Sequence, residues 1–186
     1  MPMEAQTLTF TDAVAFEQWL KVNYKNQAGA WVKVAKVSSG IPSITNDELV
    51  DVGLCLVWIS GQRKSYDKDY FLQKYVPRRK RSIWSQVNVE KVEMLVKGGR
   101  MQDPGIIEVD AAKADGRWDA AYAPQSNATP PLDLLDALAQ NKIAQERYNQ
   151  LTKSERYSVI MQLALTRDAK NRPAKIKKII NTLTTP

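Results

Sequence analysis

The run from Leu49 to Ile59, LVDVGLCLVWI, is apolar on almost every side. A helix of that kind must be enclosed, so the rest of the chain has to pack around it on more than one side. Its start is well marked. Thr45-Asn46-Asp47-Glu48 puts a hydroxyl at the cap and a carboxylate three residues on, the pattern of a capping box. Asp51 is the one charge inside the run, and a buried carboxylate needs a partner. A cation from the basic stretch downstream, or a donor from the next strand, fits that need; a carboxylate tuned for proton transfer is the functional alternative. Cys55 lies between Leu54 and Leu56 with no cation within one turn, so it reads as a small buried hydrophobe and not a reactive thiol.

Elements on either side follow from periodicity and punctuation. Thr9-Phe10-Thr11-Asp12 predicts a helix start capped by Thr9 or Thr11, and Phe16, Trp19 and Leu20 share the face of a helix ending near Tyr24. The β-branched segment 29–37 predicts a strand, and 38–42 a loop. Further strands are expected at 57–62 and 70–76, the latter stopped by Pro77 and separated from the former by an exposed polar loop, 62–69. Asn88 is a candidate cap for a helix to Lys97, closed by Gly98-Gly99, and Asp103 as a capping carboxylate with Pro104 at the first helical position opens another, over 104–115. Residues 123–131 hold three prolines with Ser, Asn and Thr, and form the plausible linker. Helices are expected over 132–139, 142–151, 155–165 and 174–183. The expected fold is α+β: a small antiparallel sheet with packed helices in 1–122, a linker at 123–131, and a C-terminal helical region over 132–186.

Composition narrows the class. A hydrophobic share of 44% with 25% charged residues is that of a folded chain. No window approaches the roughly 20 apolar residues of a membrane span. MPMEAQTLTF lacks the basic and apolar regions of a secretory signal, and one cysteine makes no disulfide framework, so a cytoplasmic location is expected. The net charge is +7, and between Gly61 and Arg100 eleven cations face only four anions. A second basic cluster runs from Lys170 to Lys178. Such asymmetry favours an anionic partner, whether a small molecule, an anionic lipid headgroup, an acidic protein surface or nucleic acid; a solvated charged face is the plain alternative.

The charge is concentrated in residues 58–88, WISGQRKSYDKDYFLQKYVPRRKRSIWSQVN. Arg78, Arg79 and Arg81, followed by Ser82, Ser85 and Asn88, bring guanidinium forks, hydroxyls and a helix start together, and these can converge on one phosphate or carboxylate. Trp58 and Trp84 are candidate ligand contacts, although rings this large more often serve the core; Trp84 differs in lying where one ring face could stay open. Asp67 is the candidate acidic member. The same arginines could instead clamp Asp67 and Asp69 across the hairpin. Catalytic sets are missing: without histidine there is no Ser-His-Asp or Cys-His machinery, and Gly98-Gly99 lacks the spacing of a phosphate-binding loop. No cofactor or metal is expected. An enzyme built on Asp51, Asp67 and nearby arginines is the weakest of the readings.

The segments GAWVKVAKVSSGIPS, DELVDVGLCLVWISGQRKSYDKDYFLQKYVPRRKRSIWSQVNVEKVEMLVKGGRM and DAAKADGRWDAAY resemble the YdeI/OmpD-associated, bacteriocin-protection proteins over roughly 29–122, with weaker similarity in the C-terminal helices. Trp58, Gly61, Asp67, Arg78, Ser82, Trp84, Ser85 and Asn88 stand in that family's order. Ser60 replaces the aspartate of its Trp-Ile-Asp-Gly element, and Asn171-Arg172-Pro173 follows its terminal basic pattern only loosely. The resemblance implies a bacterial protein connected with envelope or antimicrobial-peptide stress, and implies no catalytic residues.

Overall fold

The computed structural model describes residues 5–166 and 168–185; Met1–Glu4, part of the N-terminal stretch interpreted above, lie outside them. The chain forms two compact units, residues 1–84 with 88–120, and residues 85–87 with 121–186. The first is α+β and the second helical.

The first unit is built on a four-stranded mixed sheet in the order β1-β2-β4-β3, from β1 (Gln6–Thr9), β2 (Ala30–Ala35), β3 (Trp58–Ser65) and β4 (Tyr70–Pro77). β2, β4 and β3 run antiparallel, as expected from the sequence, while β1 adds a parallel edge strand that the sequence reading missed. QTLT has a single apolar residue, Leu8, and is held by ladder bonds to a strand more than twenty residues away, so its own pattern carries little signal. Its presence also moves the helix start. α1 (Ala13–Asn23) is capped by Asp12, whose carboxylate accepts from the Ala15 N–H at 2.8 Å, and not by either threonine. β3 runs on to Ser65, so the expected loop shrinks to a tight turn. There the Asp67 carboxylate accepts from the Asp69 and Tyr70 N–H groups, both at 2.8 Å. A bulge between Ser60 and Arg63 is filled by Gln73, which donates to the Gly61 and Gln62 carbonyls while accepting from Arg63 Nε.

One sheet face is the core. Ala30, Val32, Val34, Trp58 and Tyr75 pack against Phe16 and Leu20 of α1 and against Leu49 and Val52 of α2 (Asn46–Cys55). The capping box at Thr45 and Glu48 forms as the sequence specifies. Trp58 is 1% exposed, its Nε1 donating to the Tyr24 carbonyl at 2.7 Å and its ring edge-on to Trp19. Asp51, with its side chain a quarter exposed and not fully buried as the apolar run suggested, meets Lys91 of α3 (Gln86–Lys97) at 2.8 Å and is paired with a cation of the basic stretch. The same ammonium also reaches Asp47 at 2.8 Å. α3 starts two residues before Asn88, which therefore sits in the first turn and does not cap it.

The opposite sheet face carries Trp31, Lys33, Lys64, Tyr70, Leu72 and Lys74, placed there by cross-strand register. α4 (Asp103–Ala114) crosses the end of α2, and Gly105 makes the approach possible. A Cβ at Gly105 would lie 2.6 Å from the Cys55 carbonyl oxygen and 3.0 Å from that of Leu54.

In the second unit, α5 (Leu132–Ala139), α6 (Lys142–Gln150), α7 (Lys153–Ala164) and α8 (Arg172–Thr184) enclose Leu134, Leu138, Ala144, Tyr148, Leu163, Ile179 and Leu183. Asn141 caps α6, Thr152 and Glu155 form a second capping box, and Arg147 donates to the Leu183 and Thr185 carbonyls at the end of α8. No helix among the described residues is long and apolar enough to cross a membrane.

Two outcomes are expected. Gly105→Ala should lower the melting temperature: overpacking costs about 1–3 kcal/mol, here towards the upper end because the obstacle is backbone, against about 1 kcal/mol of helix propensity gained. Burial pushes the Cys55 thiol up to about 11, so the native protein should resist a thiol-specific disulfide reagent at neutral pH. Labelling should track global unfolding by denaturant; rapid labelling of the folded chain would contradict the burial.

Candidate functional site

The four basic residues 78–81 have separate fates. Arg78 is buried, its N–H donating to the Val57 carbonyl at 2.7 Å and its Nη2 to the Ile83 carbonyl at 2.9 Å. Its guanidinium lies 3.7 Å above the Trp84 ring, with Nε 3.7 Å from Glu108 Oε1. Arg79 is exposed. Lys80 and Arg81 occupy the two central positions of a β-turn closed by the Ser82 N–H donating to the Arg79 carbonyl at 3.0 Å. Arg81 has φ +62°, at the position where such a turn usually takes glycine.

A second arginine fixes this turn from beneath. Arg117 Nη1 donates to the Ser82 carbonyl at 3.1 Å and to Glu108 Oε1 at 2.6 Å, and Nε donates to Asp115 at 2.7 Å. Burial opposes its charge, but Glu108 and Asp115 outweigh that and hold the guanidinium still more firmly protonated. Glu108 therefore accepts from one arginine and ion-pairs with another, joining α4, the basic turn and the segment after α4.

These groups border a cleft of about 690 Å3 in the first unit. Leu56, Val57, Pro77, Pro104, Ile107 and Ala111 supply apolar surface, and Tyr24 and Gln27 close one side. Five cations, Lys25, Arg78, Lys80, Arg81 and Arg117, line it against the single carboxylate of Glu108. Val57 is the other non-glycine residue with positive φ among those described, at +64°. It directly follows Leu56, the C-cap of α2, where glycine is the usual occupant. A β-branched residue there is a true outlier. Both strained residues line the same cleft.

Of the residues expected at the site, Arg78 and Arg81 reach the cleft, and Ser82 anchors its turn through its backbone. Arg79 is absent from the lining. Trp84 is a correction: it is 2% exposed, tilted against Trp118 with centroids 5.0 Å apart, and offers no open face. Trp58 is likewise enclosed in the core. Ser85 pairs with Tyr122 as an isolated bridge of the second unit, and Asn88 lies within α3. Asp67 sits in the β3–β4 turn, at the far end of the hairpin from Arg78. Burial pushes its carboxyl up, but the Asp69 and Tyr70 N–H groups prevail and hold it below the usual range. The carboxylate shared by Arg78 and Arg117 is Glu108, with Asp115 also engaging Arg117, and no ion pair joins Arg78 to Asp67 or Asp69 among the described residues. Glu108, Arg117 and Lys25 were missed. The signal for Arg117 was present in Asp115-Gly116-Arg117-Trp118, inside a segment already noted for its resemblance.

The second unit has a groove of its own, about 610 Å3, along α5 and α8. Its principal charges, Arg172 and Asp133, pair with each other, Nη2 to Oδ1 at 3.0 Å.

Residues 8–108 match the family model described as Domain of unknown function (DUF8412), and residues 127–185 match the model described as Bacteriocin-protection, YdeI or OmpD-Associated. The second match lies in the C-terminal helices, where the sequence resemblance was weaker; most of the stretch that carried the stronger resemblance falls within the first. No curated protein and no solved structure matches the chain. Because the first match spans more than half of the 186 residues, the chain belongs to the DUF8412 family, with a C-terminal region matching the YdeI/OmpD-associated bacteriocin-protection model.

Proposed function

We propose that this is a non-enzymatic protein of the bacteriocin-protection type whose first-unit cleft binds an anionic ligand with an apolar body, carrying a carboxylate or a phosphate. The observation that supports this most is the placement of Lys80 and Arg81 on a strained turn over apolar walls, with Val57 strained beside them. Backbone strain of this kind costs of order 1–3 kcal/mol per residue and gathers at binding sites. Arg78 and Arg117 serve mainly to hold the turn, since both already engage Glu108. Lys80 and Arg81 carry their charge at the exposed rim, where an anion can reach it. Glu108, bound by two guanidinium groups, is a structural tie of the turn. Apolar walls with a few polar groups at the rim are what a small-molecule site requires.

Calorimetric titration against a panel of organic carboxylates and phosphate esters with apolar bodies tests the reading. At least one should bind, and silence across the panel by a folded protein sinks it. Arg81→Gly should leave stability nearly unchanged, because relief of a left-handed backbone, about 1–2 kcal/mol, is offset by the extra chain entropy of glycine, about 0.5–1 kcal/mol. The same change should weaken the panel ligand by about 1.5–3 kcal/mol, the worth of a hydrogen bond to a charged group. Arg79→Ala should alter neither property beyond about 0.5 kcal/mol. Arg78→Ala should instead destabilise the fold by about 3 kcal/mol, the toll of breaking a buried pair. A melting curve for Arg78→Ala that overlays the wild type would contradict the clamp.

A further inference from the structure

The sheet face turned away from the core carries a second basic and aromatic surface, apart from the cleft. Lys33 Nζ lies 4.0 Å from the centroid of Tyr70 and 4.6 Å from that of Tyr66, while Lys64 and Lys74 lie 4.3 and 5.6 Å from that of Trp31. Register explains the interleaving. Trp31 stands opposite Lys74, and Leu72, itself 4% exposed, stands between Lys33 and Lys64, with Trp31 and Tyr70 partly exposed beside them. Tyr66, at the end of the hairpin, is 53% exposed.

We propose that this face binds single-stranded nucleic acid. The two halves of such a ligand match the two residue types. Phosphates take the ammonium groups, and unpaired bases stack on ring faces that are flat and tolerant of sequence. The lysines now resting over the rings do not prevent this. An exposed cation–π contact is weak, and an ammonium drawn onto a phosphate uncovers the ring face beneath it. Charge alone would suit any polyanion. Two rings on the sheet, Trp31 and Tyr70, and a third, Tyr66, at the hairpin end among the lysines favour a strand of exposed bases over a duplex, which hides its base faces, and over an acidic protein surface, which has none.

The test is fluorescence anisotropy with the full chain and labelled 20-residue oligothymidylate and oligouridylate, titrated from low to moderate salt. Binding of at least one should be seen, and neutralisation of three phosphates predicts a slope of log affinity against log salt of about −2. Lys64→Gln with Lys74→Gln should bring the slope to about −0.7, because each phosphate contact on a single strand contributes about −0.7. Tyr66→Ala, at a position exposed enough to leave folding intact, should weaken binding about fivefold or more through lost stacking. Arg81→Gly in the cleft should leave oligonucleotide binding unchanged, which separates this proposal from the previous one. Absence of binding at low salt overturns it, as does indifference to the three sheet-face substitutions. Equal competition by duplex DNA or by heparin also overturns it, since neither offers free base faces.

Discussion

One carboxylate, Glu108, organises the first unit around its cleft. Its partners Arg78 and Arg117 have side chains only 3% and 8% exposed, against 17% for Glu108. Removing such charges from water costs several kcal/mol per ion, recovered only when geometry and extra hydrogen bonds satisfy the remaining donors. Here the extra acceptors are backbone: Ile83 for Arg78 and Ser82 for Arg117. The ion cluster is therefore a set of ties between α4, the segment following it and the basic turn. A turn held at both ends presents its side chains with less entropy left to lose, and that lowers the cost of binding. Gly105 belongs to the same arrangement, because it lets α4 approach the end of α2 closely enough for Glu108 and Val57 to border one cleft.

The chain's positive excess is thus divided among unlike tasks. In four successive residues, one arginine is buried as a tie, one is exposed outside the cleft lining, and Lys80 and Arg81 form the rim. On the outer sheet face, the lysines cover rings. Net charge could not have separated these uses, because it does not record which cations are already neutralised by buried carboxylates. Counting only exposed cations without a carboxylate partner gives a better guide to where an anion can go.

Much of the scaffold was legible from local sequence. The capping box at Thr45, strands β2 and β4 and the helix start at Asp103-Pro104 depend on residues within a few positions of one another, and each appears in the structure close to its expected bounds. Asp103 is nevertheless the first residue of α4, and Gln102, with no side-chain cap bond, stands at the cap. The failures share a non-local cause. β1 is an edge strand defined by pairing with β2, and the outer half of β3 is polar because that edge faces water. Neither shows the alternation of a half-buried strand. The site failed in the same manner. Arg117 reaches Ser82 across 35 residues, and Glu108 closes a cluster whose other members are far off in sequence. Trp84 was expected to keep a face open because its neighbours are polar. Trp118, a partner 34 positions away, covers it, and Arg78 stacks upon it.

The two left-handed residues bear most directly on how the cleft is to be understood. At Val57 and at Arg81 the backbone adopts a conformation that glycine enters freely and an L side chain enters at a cost of about 1–2 kcal/mol. Gly29, Gly40, Gly99 and Gly116 occupy the same region elsewhere in the chain, so the fold uses glycine readily where only conformation is at stake. The packing each side chain gains is modest: Val57 is half-buried and Arg81 is exposed. What glycine could not supply at these two points is an apolar wall and a positive charge facing the same hollow. Strain at two positions on one cleft, with only modest burial to offset it, is what the proposed binding role would account for.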